Sequence, residues 1–305
     1  MSAPIVLVRR RTGPTRAVGA LTSLVPLALG VYWLVRGGSL GMQILGAVAA
    51  LAGLFAARTN LRFAGRVEIE GDQAVIKALW TGARRTVDLR RLAAVEARLA
   101  QRPADGGIFA LSYILLFDDG ERVFLGQDFD GLEEGVSRAI RSASPDGIAL
   151  PARVGGVLLG SWNRYLQDPR LGCSASYPER DRLVSVYAYR GDTKDVADGA
   201  DSPEVIAELE KAEGDLRTAA ARDGRGEPEE VGRGILGEGG DWPMRWVGFH
   251  FGGLPDPRME LVLLCGHRGA LLKVRHTRRP PGDAAAAESA AEEVRRFVAE
   301  LAAST

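Results

Sequence analysis

Residues 17–35, AVGALTSLVPLALGVYWLV, carry no charged side chain. As a helix rising about 1.5 Å per residue, such a run is long enough for a bilayer core of about 30 Å. Pro26 sits mid-run, where membrane helices tolerate proline. Tyr32 and Trp33 lie near its far end, in the place of an aromatic belt. Residues 41–57, GMQILGAVAALAGLFAA, form a second uncharged run. Its small residues recur at spacing four (Gly46 and Ala50; Ala49 and Gly53), which lets helices approach closely. A buried helical hairpin and a cleaved leader are the alternatives. The directly following second run argues against a leader and for two retained spans.

Arginine placement orients this hairpin. Arg9, Arg10, Arg11 and Arg16 precede it, Arg58, Arg62 and Arg66 follow it, and only Arg36 lies between the runs. The positive-inside rule then places both termini on the cytoplasmic side. The expectation is a basic cytoplasmic segment at 1–16, a transmembrane hairpin at 17–57 and cytoplasmic domains beyond, in a bacterial inner membrane. Cys173 and Cys265 are then reduced, buried thiols. The formal net charge is zero, which gives no global bias toward nucleic acid. Of 39 basic residues only Lys77, Lys194, Lys211 and Lys273 are lysines; arginine supplies the other 35. With abundant Ala and Gly, this composition fits GC-rich bacterial coding.

After residue 60 the apolar period shortens to two. Val67 and Ile69, then Val75, Ala78 and Trp80 beyond a Gly71-Asp72 turn, predict a hairpin. Further strands are expected at 86–89, 93–99 and 108–117. Asp118-Asp119-Gly120 is a hairpin turn signal, with a returning strand at 122–125. Asp130 with Glu133 resembles a capping box opening a helix whose Leu132, Val136 and Ile140 share one face. With the hairpin ahead of it, this order and the phrase ILLFDDGERVFLG resemble bacterial PH-like domain membrane proteins. The resemblance implies a PH-like antiparallel β domain with a C-terminal helix over 60–147, and a binding or assembly role without catalysis. Arg84, Arg85, Arg90 and Arg91 cluster about a turn here. They are either a solvated face or a contact for anionic lipid head groups, worth about 1 kcal/mol per charge near a bilayer.

Breakers between 144 and 156 mark a linker, and 148–168 joins it to a short amphipathic piece. Residues 169–305 read as a second α+β domain with an antiparallel sheet. Strands are expected at 182–189, 229–236, 244–251, 259–266 and 270–277. Ser202-Pro203-Glu204 is a helix start, with serine as N-cap and proline in the first turn. The helix runs to about Ala221 with Val205, Leu209, Ala212 and Leu216 inward; an Ala-rich helix covers 284–303. The run LGCSASYPERDRLVSVYAYRGD and the later LLKVRHT faintly resemble the PsbP-type fold, which implies a fold and no activity. The fold class is therefore membrane-anchored α+β: transmembrane hairpin, PH-like domain, second α+β domain.

Catalytic patterns are absent from the sequence. His250, His267 and His276 with Cys265 match no zinc spacing. Cys265 lies inside an apolar run, which favours core over nucleophile. The glycines of GRGILGEGG, 232–240, lack the Lys-Ser/Thr of a phosphate loop and read as strand and turn. No cofactor, metal or nucleic-acid partner is expected. The leading expectation is a membrane-anchored cytoplasmic binding or assembly platform, with protein partners or self-association. One alternative is a lipid or small-ligand sensor with a pocket lined by Trp242, Trp246 and Phe249. The other is an enzyme using Cys265 and nearby histidines.

Overall fold

A computed structural model describes residues 4–8, 28–29, 31–32, 34–36, 44–51, 64–78, 83–101, 109–126, 129–144, 148, 150–191, 195–224, 226–237, 242–252, 257–279 and 284–303. The chain divides into two compact units, residues 1–88 with 123–132, and residues 89–122 with 133–305.

The first unit carries an antiparallel meander of β1 (Ile5–Val8), β2 (Ala64–Glu70), β3 (Gln73–Ala78) and β4 (Arg84–Asp88), in that order. Alternation sets the buried face. Leu7 lies opposite Val67, and Val67 opposite Ile76; Ile69 pairs with both Ile5 and Ala74. All of these are buried. On β3 the buried residues are thus Ala74 and Ile76, with Val75 between them on the other face. The two-residue Gly71-Asp72 turn fixes that register, and a one-residue slip exchanges the faces. β7 (Arg122–Leu125) leads into the unit's second segment, where Phe129 is buried and the Asp130 amide donates to the Val8 carbonyl at 3.1 Å.

The expected two-span hairpin is overturned. Among the described residues no helix is long and apolar enough to cross a membrane. Within 17–57 the described helical residues are 28–29, 31–32, 34–36 and 44–51. The longer stretch, 44–51, extends only about 12 Å, against about 30 Å of hydrocarbon. The remainder of 17–57 lies outside the described residues. With the hairpin go the inner-membrane location and the orientation built on it. Residues 5–8 of the expected basic segment form a sheet strand.

The second unit is built on a long antiparallel sheet. Its strands are β5 (Leu92–Gln101), β6 (Phe109–Phe117), β10 (Ser161–Arg164), β11 (Cys173–Pro178), β12 (Arg182–Tyr189), β13 (Glu229–Leu236), β14 (Met244–Phe251), β15 (Arg258–His267) and β16 (Ala270–Arg278). Their order is β13-β14-β15-β16-β12-β11-β10-β5-β6. A small hairpin of β8 (Arg153–Val154) and β9 (Val157–Leu158) precedes β10. The helices are α1 (Leu132–Ala143), α2 (Pro203–Arg222) and α3 (Ala284–Ala303).

This architecture corrects the expected sequence of a PH-like domain followed by a separate α+β domain. β5 pairs with β10, Val95 opposite Trp162, so strands assigned to the former continue the sheet of the latter. The stretch expected as linker, 148–168, carries β8, β9 and β10 and buries Ile148, Leu150 and Ala152.

α2 and α3 cover opposite faces. Val205, Leu209 and Leu216 of α2 pack on Phe249, Val262 and Leu264. The alternate residues, Trp246, Leu261 and Leu263, face α3, so β15 is buried on both sides and reads as a continuous apolar run. Its one acid, Glu260, is 3% exposed and is held by Arg258 at 2.5 Å and Arg275 at 2.7 Å. The glycines of β13 have a packing role. A Cβ on Gly232 would lie 2.8 Å from the Trp246 ring, so the indole rests where side chains would otherwise stand.

Candidate functional site

Helix α2 starts where its cap dictates. Ser202 is extended, its hydroxyl accepts from the Val205 amide at 3.2 Å, and Pro203 opens the first turn. That start aligns Glu204, Ala207, Glu208 and Lys211 along one side of the helix, at spacings of three and four. Opposite them stands a short 3-10 turn, Pro169–Leu171, capped by the Asp168 side chain. The turn is strapped to the end of β12. The Gly191 amide donates to the Arg170 carbonyl at 3.1 Å. Gly172, with φ +60°, passes so close to β12 that a Cβ would lie 2.0 Å from the Ala188 carbonyl oxygen. Tyr189 and Leu271 form the floor.

The cleft enclosed by these elements has a volume of about 570 Å³, within the usual range for small-molecule sites. Glu208 is its centre. Its Oε1 accepts from the Tyr189 hydroxyl at 2.5 Å and from Lys273 Nζ at 2.8 Å, and Lys211 Nζ lies 3.9 Å from Oε2. Lys273 also sits over the Tyr187 and Tyr189 rings, 5.8 and 5.1 Å from their centroids. Burial raises the Glu208 carboxyl, but the hydrogen bonds from Lys273 and Tyr189 outweigh it and hold the group below the ordinary carboxylate value. Burial and the adjacent carboxylate push the Tyr189 phenol up, so it remains a donor. The lining balances, with Arg170, Arg190 and Lys211 against Asp168, Glu204 and Glu208, and Arg170 is paired with Asp168 at 2.9 Å; Lys273, outside the lining, reaches Glu208. The positive end of the α2 dipole tips this balance toward an anion.

No family model, curated protein or solved structure matches this chain.

The resemblances to PH-like membrane proteins and to the PsbP-type fold therefore find no support. The residues singled out in the sequence are dispersed. Arg84 and Arg85 lie exposed on β4 of the first unit. Arg90 and Arg91 lie in a 3-10 turn of the second. Arg91 binds Asp118 at 2.8 Å and Asp119 at 2.9 Å, a local tie across the turn after β6. Trp242 packs against His267 at 4.2 Å, while Trp246 and Phe249 point to opposite faces of β14. Cys265 is 1% exposed, and burial with the nearby Asp198 pushes its thiol up to about 12, so thiolate is scarce at neutral pH. Neither cysteine forms a disulfide. Among the described residues no cluster of His, Cys, Asp or Glu is arranged to hold a metal ion.

Tyr189, Glu208 and Lys273 escaped sequence reading because they are 19 and 65 residues apart. One signal was present: in a chain with four lysines, Lys211 and Lys273 both converge on Glu208.

Proposed function

We propose that the protein is a non-enzymatic binding module whose second unit takes a small anionic ligand in the cleft at the N-terminus of α2. The observation that carries this reading is the Tyr189–Glu208–Lys273 network on the floor of an open cleft at the positive end of the α2 dipole. Two arguments support binding over proton transfer. Glu208 is held ionised and Tyr189 protonated, so neither has the near-neutral pKa that general acid–base work requires. Their geometry is also fixed by mutual hydrogen bonds, and Lys211, largely exposed along the same wall, can meet a ligand carboxylate or phosphate.

The test is a melting experiment with citrate and inorganic phosphate on the native protein and on Ala207→Trp. Ala207 is exposed and lines the cleft, so tryptophan fills the opening without entering the core. Saturable stabilisation of the native protein, absent in the variant, is expected. Equal stabilisation of both proteins is general salt exclusion and refutes the reading, as does stabilisation of neither.

A further inference from the structure

The walls of the α2 cleft divide into a charged part and an apolar part, and each limits the ligand differently. The charged part has room for one negative charge. Arg170 is bound twice by Asp168, at 2.9 and 3.0 Å, and Arg190 has a partner of its own. Among the lining cations that leaves Lys211, whose side chain is 69% exposed and stands 3.9 Å from Glu208 Oε2. Asp168, Glu204 and Glu208 line the same cleft and repel a second negative charge. The apolar part is Leu171 on the 3-10 turn, Pro203 and Ala207 on α2, and Leu271 with the Tyr189 ring at the floor. The Tyr189 hydroxyl is committed to Glu208, so the ring presents carbon. Leu171 is 49% exposed. Its amide donates to the Asp168 carbonyl at 3.0 Å, and the next amide, of Gly172, donates to the Pro169 carbonyl at 3.1 Å. With Gly172 pressed against Ala188, the turn is anchored and keeps Leu171 on the wall.

A single exposed leucine is ordinary, but one fixed on the wall of a cleft, across from Pro203 and Ala207, is a surface for hydrocarbon. We infer that the ligand of the α2 cleft is an amphipathic monoanion: a monocarboxylate with a hydrocarbon body of several carbons. Its carboxylate meets Lys211 and its chain lies against Leu171, Pro203 and Ala207. This rests on the anion reading proposed above and adds the class of the ligand. A phosphate monoester carries nearly two charges at neutral pH and suits this wall less well. Citrate and inorganic phosphate enter by charge alone and bind more weakly than an alkyl carboxylate. The cleft volume of about 570 Å³ leaves room for the chain.

The experiment titrates the full chain with acetate, hexanoate, 1-hexanol and citrate, and follows the Ala207 amide resonance, which reports binding in the cleft. A fully buried methylene is worth about fourfold in affinity, and an open cleft leaves some of them wet, so hexanoate should bind at least about tenfold more tightly than acetate. It should also bind more tightly than citrate and than hexanol. Leu171→Ser, at an exposed position, should remove most of the advantage of hexanoate over acetate. Lys211→Gln should bring hexanoate down to the level of hexanol. Saturable binding of citrate and acetate, with hexanoate no tighter than acetate, overturns the inference and leaves the anion reading standing. An Ala207 amide unmoved by all three anions overturns both. Hexanol binding as tightly as hexanoate, or undiminished hexanoate binding in Leu171→Ser, overturns the inference as well.

Discussion

The two faces of the long sheet bury polar groups in opposite ways. On the α2 face, Glu260 is 3% exposed between Arg258 and Arg275, and Glu208 is tied to Tyr189 and Lys273. On the α3 face, His276 Nδ1 and Trp162 Nε1 are buried without partners; on the α2 face Arg258 also buries its Nε, but its guanidinium holds Glu260 through Nη2. A carboxylate can stay charged inside a protein only when opposite charges and donors replace its water. An imidazole has another route, since it can give up its proton and become neutral. One face thus keeps charge at fixed positions, and the other keeps a neutral, unmet hydrogen-bonding atom.

Breaking the charged side has the largest expected effect. Glu260→Ala leaves the largely buried Arg258 guanidinium without its carboxylate, while Arg275 still reaches solvent, and should cost about 3 kcal/mol, read by urea denaturation. A loss under about 1 kcal/mol would mean that water reaches this triad, and the contrast between the faces would dissolve.

The neutral side predicts a pH signature of about 3 kcal/mol. The folded pKa of His276 is about 4, below the unfolded value near 6.5. Stability from this group is therefore complete above about 6.5 and is lost as pH falls toward 4. Subtracting the pH–stability curve of His276→Leu from that of the native protein isolates it from the carboxylates that titrate nearby. A flat difference over that window contradicts a neutral buried histidine.

Smaller effects sharpen the packing side of the comparison. Gly232→Ala drives a Cβ into the Trp246 ring and should lower stability by about 1–3 kcal/mol; an unchanged melting temperature would show that the indole can move aside. Ser202→Ala removes the α2 cap and should cost about 1 kcal/mol. It should also loosen the cleft wall, seen as faster amide exchange in the first turn.

How much of this was legible depended on whether the deciding contact was local. β14 and the two long helices were readable because alternation, an Ser-Pro-Glu start and an apolar face are each written in a few neighbouring residues. The two-span reading failed because uncharged Ala, Gly and Leu runs state that a segment is apolar and leave its helix length open. The Pro/Gly-rich segment 144–156 looked like a linker because breakers mark turns whether or not the turn is buried; here Arg153 pairs with Glu133 at 2.7 Å and Ala152 lies in the core. The α2 cleft was illegible because β12, β16 and α2 each contribute one member of its network, and only tertiary pairing unites them.

The central claim is that the cleft at the start of α2 receives an anion. It is tested most directly by a crystal structure of the full chain grown with citrate. The account predicts density for citrate between the 3-10 turn and α2, with a carboxylate on Lys211 and the Tyr189–Glu208–Lys273 network intact. A cleft holding only water at saturating citrate, or a Glu208 swung away from Tyr189 and Lys273, would contradict it.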